Sequence, residues 1–218
     1  MAKDSKLTEA KRQWALDGRL LTGRVGDHAR DRLPPGQTLT EGFPVLDLGA
    51  QPEVGLERFR LDIDGAVRHP LSLRWDEFMA LPQSEMESDI HCVTQWSRFD
   101  NRWRGVAATT MLDEVQPLPD AAHVILHGYD GYMTNIRLGD FASSDVILAY
   151  SWQGEALTAA HGGPLRLIVP RLYLWKSAKW LRRIEFSVTD RPGFWERNGY
   201  HNEADPWLEE RYDEPEAT

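Results

Sequence analysis

The sequence predicts an α+β fold with a mixed, mainly antiparallel sheet, and three observations carry that expectation. Short stretches of strand periodicity dominate, the turn signals Asp64-Gly65, Asp130-Gly131 and Gln153-Gly154 outnumber any βαβ alternation, and only a few short helical segments interrupt them. The 218 residues are enough for one sizeable core, and 41% hydrophobic with 27% charged residues is ordinary globular composition. The expected organisation is an N-terminal helix and extended arm over residues 1–42, a single domain over 43–212, and a frayed tail over 213–218.

Residues 4–17 read as a surface helix capped at Asp4 or Ser5 and stopped at Gly18. Gly, Pro, Asp and Arg dominate Thr22 to Gly42, so this is an extended arm crossing the surface. It leads to Phe43-Pro44-Val45-Leu46, an apolar anchor for a groove. Phe59, Leu61 and Ile63 alternate with Arg60 and Asp62 as a strand, and Asp64-Gly65 is read as a hairpin turn returning through Ala66-Val67-Arg68. Leu73 to Leu81 has helical spacing and stops at Pro82. Thr109 to Val115 is a second helix, ended by Pro117. Ala122 to His127 and Tyr132 to Leu138 form a hairpin, as do Val146 to Tyr150 and Ala156-Leu157. Leu165 to Val169 and Trp180 to Val188 are further strands, and Asp190 to Tyr212 is structured without periodicity.

Net charge −9 argues against a nucleic-acid partner, because phosphate contacts need a basic surface. A single cysteine cannot form an internal disulfide, and Met1 to Leu21 holds no apolar run long enough for a signal peptide or a membrane span. Cytoplasmic residence is therefore expected.

Chemistry concentrates at two places. In Glu85 to Cys92, Met86, Ser88, Ile90 and Cys92 alternate with the acids and His91, which puts the only cysteine at a strand end. Beyond it, Val93 to Val106 carries two Trp, three Arg and an Asp-Asn turn signal, a loop placed to meet a ligand. A thiolate near His and Arg is favoured over the thiol, and only the thiolate is a nucleophile or a good ligand for a soft metal. The second place is His161 to Arg183. No carboxylate stands between Glu155 and Glu185, while six basic residues do, around Ser177 and the Gly162-Gly163 pair. Arg forks, a Lys ammonium, a hydroxyl and exposed N–H groups are what a phosphate needs, although a solvated basic strand pair would look the same. The common nucleotide cradles, GxGxxG after a strand and GxxxxGK[ST], are absent.

The combination of Cys92-Val-Thr-x-Trp-Ser, Trp103-x-Gly-Val, His161-Gly-Gly-Pro-x-Arg-x-x-x-Pro and Lys176-Ser-x-Lys-Trp resembles the molybdenum domain of the sulfite oxidase superfamily, from about Phe43 to Trp207. The resemblance implies a molybdopterin-dependent oxidoreductase that transfers an oxygen atom, with Cys92 as metal ligand and catalytic residue. It implies that Arg166 and Lys176, Ser177, Ala178 and Lys179 grip the cofactor phosphate and that His161 contacts the pterin, with His127, Thr40 and Phe43 lining the pterin pocket. Where animal and plant sulfite oxidases carry a Gly-Asn-Arg-Arg-like run after the cysteine, this chain has Val93-Thr94-Gln95-Trp96-Ser97, which is more like the bacterial branch that includes the methionine sulfoxide reductase catalytic subunit. Trp96 there implies an apolar wall, and so a neutral sulfoxide or N-oxide rather than sulfite. Arg98, Arg102 and Arg104 remain sources of positive charge, and Tyr129, Tyr132, Trp195 and Tyr200 are candidate linings. A separate electron-transfer partner is expected. Two other readings stay open: a zinc site from Cys92, His123 and His127, the two histidines sharing one strand face, and a non-enzymatic anion-binding module using the basic segment.

Overall fold

The computed structural model describes residues 32–47, 49 and 51–213. The helix expected over residues 4–17, the start of the arm and the tail beyond residue 213 lie outside them. Two sheets form the framework. The larger contains β1 (Thr38–Leu39), β4 (Ser84–His91), β5 (Trp96–Ala107), β8 (Ile147–Trp152), β9 (Glu155–Ala156) and β10 (Arg166–Ile168); the smaller contains β2 (Leu61–Gly65), β3 (Leu71–Leu73), β6 (His123–Gly128), β7 (Met133–Arg137) and β11 (Leu181–Ser187) in the order β3-β2-β11-β6-β7. Among the described residues only β1 with β5 and β2 with β11 pair in parallel, so the sheets are mixed and mainly antiparallel as the turn signals require. No helix among these residues is long and apolar enough to cross a membrane.

The larger sheet is covered on both faces. On β8, Leu148 joins one apolar cluster while Ile147 and Ala149 join another; on β10, Leu167 and Ile168 divide the same way. That is why Leu165 to Val169 reads as an unbroken apolar run rather than an alternating one. The first cluster lies between the sheets and takes Phe78 of α1 (Trp75–Ala80), Met111 and Val115 of α2 (Ala108–Val115) and Phe141 of α3 (Leu138–Phe141). The second surrounds Cys92 and holds Trp96, Trp103, Trp195 and Tyr200. Helix α1 begins where Glu77 accepts the Arg74 N–H at 2.7 Å, and Leu81 before Pro82 is already extended, at ψ 159.

Three expectations change. The segment after Cys92 is not a loop: it is β5, the longest strand, in which exposed Arg102 and Arg104 alternate with buried Asn101 and Trp103 while Arg98 is half-buried over Trp152. The Asp100-Asn101 signal is a bend inside that strand, with Asp100 at φ 56 and a shifted register opposite. Asp64-Gly65 does not turn a hairpin. Gly65 lies against β11, where a Cβ would stand 2.1 Å from the Phe186 carbonyl, and the antiparallel partner of β2 is β3. Finally, the arm is not confined to the surface, since Thr38 and Leu39 pair with Trp96 and Ser97 and bury Gln37 and Thr40.

The close approach of β8 to Gly105 of β5 yields a stability prediction. A Cβ on Gly105 would stand 2.0 Å from the Leu148 carbonyl, whereas one on Gly139 of α3 would meet nothing within 4 Å. Gly105→Ala should lower unfolding free energy by about 1–3 kcal/mol or prevent folding, and Gly139→Ala should be neutral or stabilising by up to about 1 kcal/mol. Urea denaturation of both variants measures the contrast.

Candidate functional site

Cys92 sits in the tight turn of the β4–β5 hairpin. The Cys92 N–H donates to the Trp96 carbonyl at 2.8 Å, the Gln95 N–H donates back to the Cys92 carbonyl at 3.1 Å, and Gln95 takes φ 67 to close the turn. Three distant pieces fix this main chain. The arm contributes the Gln37 side-chain amide, donating to the Cys92 carbonyl at 3.0 Å, and the Thr38 N–H, donating to the Gln95 carbonyl at 2.9 Å; from the C-terminal tail Arg211 donates to the Val93 carbonyl at 3.1 Å. The thiol is 5% exposed and lies 3.1 Å from the Thr94 hydroxyl.

The turn opens on a cleft whose empty space, open mouth included, is about 820 Å³. Cys92, Phe43, His161, Arg166, Ser177 and Lys179 all line it. Phe43 is the hinge of the arrangement: its ring meets Trp96 edge-on at 6.2 Å, stacks on His161 at 4.5 Å, and lies 5.6 Å below the Arg166 guanidinium. His161 Nε2 is 3.0 Å from the Phe43 carbonyl, which can only accept, so Nε2 carries the hydrogen and Nδ1 accepts from the Thr158 hydroxyl at 3.1 Å. Burial, with Arg166 and Lys179 nearby, lowers its pKa and keeps the ring neutral at pH 7.

Arg166 is the outstanding charge. It is 1% exposed, burial pulls its pKa down to about 9, and it is still a cation at neutral pH. Its Nη1 and Nη2 donate to the His161 and Ser177 carbonyls at 2.8 and 3.0 Å, but it pairs with no carboxylate among the described residues and its Nε has no partner. A buried cation of this kind is a place for an anion. Lys179 donates to the Leu46 and Ala160 carbonyls, both at 2.9 Å, in the same cleft.

Four predicted residues stand elsewhere. Lys176, 0% exposed, pairs with Glu196 at 2.6 Å and donates to Asn135, so its charge is spent inside the protein. Ala178 packs in the cluster between the sheets, and His127 on β6 pairs with Glu185 at 3.1 Å. Thr40 is buried beside β5, where its hydroxyl accepts the Gly42 N–H, and does not line the cleft. The Gly162 and Gly163 N–H groups are also used locally, donating to Ala159 and Thr158; Gly162 instead lets Lys179 lie close, since a Cβ there would stand 2.9 Å from the lysine Cβ. The zinc reading is overturned: His123 and His127 face Asp190 and Glu185 in the smaller sheet, and among the described residues no three His, Cys, Asp or Glu side chains converge as metal ligands.

At the Cys92 end the wall is aromatic. Trp96, Trp175, Trp195 and Tyr200 line it with Val93 and Leu174; Trp195 stacks on Tyr200 at 4.7 Å, and the buried Trp96 indole N–H has no partner among the described residues. Trp175 and Leu174 carry no motif signal, and only the surplus of Trp hinted at them. Of the tyrosines, Tyr132 and Tyr200 line the cleft while Tyr129 is occupied with Arg60. None of Arg98, Arg102 and Arg104 reaches it: Arg98 lies over Trp152, Arg102 donates to Gln153, and Arg104 is exposed.

With this geometry, likeness to known proteins is informative. Residues 48–195 match the family model of the oxidoreductase molybdopterin binding domain. The chain is 47% identical over 182 residues to the uncharacterized oxidoreductase YuiH of Bacillus subtilis, covering 83% of this chain and 92% of that one. It is 30% identical over 155 residues to the protein-methionine-sulfoxide reductase catalytic subunit MsrP of Gluconobacter oxydans, covering 63% of this chain and 49% of that protein. The sulfane dehydrogenase SoxCD from Paracoccus pantotrophus shares the fold at TM-score 0.61 and 18% identity, over 81% of this chain and 55% of that chain. The chain therefore belongs to the oxidoreductase molybdopterin binding domain family, and it is a molybdopterin-dependent oxidoreductase of the sulfite oxidase superfamily.

Proposed function

We propose that the cleft holds the cofactor with Cys92 as the thiolate ligand of molybdenum and Arg166 as the main grip on its phosphate, and that the enzyme takes the oxygen atom from a neutral sulfoxide or N-oxide. The observation that carries this reading is that one cleft joins the Cys92 thiol to a buried cation that has no carboxylate partner among the described residues. The bound cofactor supplies two-electron oxygen-atom exchange at a metal suited to a soft sulfur ligand. The chain's own residues do the rest. Arg166 binds a dianion through charge-assisted hydrogen bonds of about 1.5–3 kcal/mol each, with Ser177 and Lys179 beside it. His161, kept neutral by burial, is oriented by Phe43 and Thr158 and so presents a flat polar ring without adding charge. The Thr94 hydroxyl beside the sulfur orients the thiolate.

Substrate preference follows from the aromatic end. Trp96, Trp175, Trp195 and Tyr200 exclude water and offer apolar surface, and the nearby arginines turn elsewhere, so a dianion such as sulfite would lose hydration without gaining a cationic fork. Reduction of a sulfoxide consumes two electrons and two protons and releases a sulfide and water. The electrons come from a separate carrier. With an artificial donor and acceptor, sulfoxide or N-oxide reduction should outpace sulfite oxidation; a sulfite rate above every sulfoxide and N-oxide rate would reverse the preference.

The two buried cations should separate in their effects. Arg166→Met should leave the cofactor-free protein at least as stable, since it removes a buried charge with no anion, yet cut pterin content about tenfold or more. Lys176→Met strands Glu196 and should cost about 3–5 kcal/mol of stability. Denaturation, together with pterin fluorescence after oxidation, distinguishes them. Cys92→Ser should fold and retain much of its pterin, because the phosphate grip is separate from the thiol, but lose the thiolate-to-metal absorption band and at least about a hundredfold in turnover, or roughly 2.7 kcal/mol of barrier. Unchanged turnover in a metal-loaded Cys92→Ser enzyme would remove the thiol from the reaction.

A further inference from the structure

Large apolar side chains that stay exposed are few among the described residues, and two of them are adjacent: Trp207, 46% exposed, and Leu208, 70% exposed. They cap an ordered turn. The Glu210 N–H donates to the Asp205 carbonyl at 3.0 Å, the Asp205 N–H donates to the Glu210 carboxylate at 3.0 Å, and the Trp207 N–H donates to the Asp205 carboxylate at 2.8 Å. The turn thus sets an apolar tip beside three carboxylates, Asp205, Glu209 and Glu210, of which Glu209 lies 3.7 Å from Arg211 and Glu210 3.3 Å from His201. The Glu209 side chain is 54% exposed, and the whole chain carries net charge −9.

The same turn reaches towards the cleft from behind. The Trp207 ring meets His91 edge-on at 6.2 Å, and His91 is buried and joined by a peptide bond to Cys92. Arg211, just past the turn, donates to the Val93 carbonyl on the other side of Cys92. One ring contact and one peptide bond therefore separate a solvent-exposed indole from the residue that carries the thiol.

We propose that the Trp207-Leu208 turn is the docking point of a basic one-electron carrier protein, and that electrons pass between that carrier and the Cys92 site by way of Trp207 and His91. The inference rests on the oxidoreductase reading above and names its electron partner by chemistry. An exposed Trp beside a Leu is the kind of anchor around which interfaces form, and a carboxylate rim on a negatively charged protein steers a cationic surface towards it. Each sulfoxide reduced consumes two reduced carriers and two protons and releases sulfide, water and two oxidised carriers, so two successive one-electron dockings balance one turnover.

A basic c-type cytochrome serves as the probe, titrated calorimetrically into the molybdenum-loaded enzyme at low ionic strength. The Trp207→Ala/Leu208→Ala double variant should weaken its Kd about tenfold or more and Glu209→Gln about threefold. Leu56→Ala, an equally exposed apolar change elsewhere, should have no effect. Binding to the wild-type enzyme should weaken as salt screens the rim. Sulfoxide turnover driven by the reduced cytochrome should fall with the double variant, while turnover driven by reduced methyl viologen, which needs no docking, should not. Unaltered cytochrome binding by the double variant, no binding by the wild type at low salt, or an equal loss of turnover with both donors would each overturn the proposal. No turnover of any substrate with viologen would instead overturn the enzymatic reading, and the binding comparison would still decide the docking.

Discussion

Arg166 is a buried cation with no carboxylate beside it among the described residues, and much of the cleft is arranged around that cost. Two carbonyls and the face of Phe43 offset part of the desolvation, and the rest is left for an anion. Natural interiors rarely leave a charge in this condition, because a buried ion without a counter-ion is among the most destabilising arrangements available. The burden is tolerable because the framework around it is apolar and closely covered: β10, which carries Arg166, has its neighbours Leu167 and Ile168 committed to two different clusters, one on each face of the sheet. Lys176 is the instructive contrast. It is equally buried, but Glu196 neutralises it, and the same carboxylate oxygen also accepts from Thr134 and from the Trp175 indole. One buried lysine thereby positions an aromatic wall of the cleft, while one buried arginine is left for a ligand.

The other end of the cleft depends on main-chain hydrogen bonding rather than charge. A thiol at a hairpin tip would ordinarily be mobile. Here the tip is held by β1 on one side, by the Gln37 amide on its carbonyl, and by Arg211 from more than a hundred residues away. These contacts are to backbone atoms, and the tip residues Cys92, Val93 and Thr94 line the cleft. The ligand end is therefore rigid without being crowded, which is what preorganisation of a metal ligand requires.

Charge is distributed to suit a neutral substrate and a charged cofactor tail. Three of the six basic residues in His161 to Arg183 are paired with carboxylates from other parts of the chain: Arg171 with Asp140, Lys176 with Glu196, and Arg183 with Asp64 and Glu185. Of the arginines of β5, Arg102 and Arg104 are exposed, and Arg98 is half-buried over Trp152.

By itself the sequence determined the period of nearly every strand, the two helices ended by Pro82 and Pro117, the hairpins at Asp130-Gly131 and Gln153-Gly154, and the pairing of a cysteine with a downstream basic segment. Each depends on local geometry: alternation, a missing N–H, or a residue that tolerates positive φ. Tertiary structure decided the rest. The stretch after Cys92 looked too polar for a core strand because exposed Arg102 and Arg104 alternate with buried Asn101 and Trp103, and nothing local shows that both edges of β5 are paired. Gly65 looked like a turn glycine because close approach by the Phe186 carbonyl leaves no mark in the neighbouring residues. The carboxylate-free run looked like one cationic patch because the acids that neutralise it lie far along the chain. Of its residues Arg166, Ser177 and Lys179 reach the cleft; Lys176 and Ala178 are turned inward, and His127 and Thr40 are held elsewhere. Which basic side chain is left without a counter-ion depends on where distant segments meet, and only the folded chain sets that.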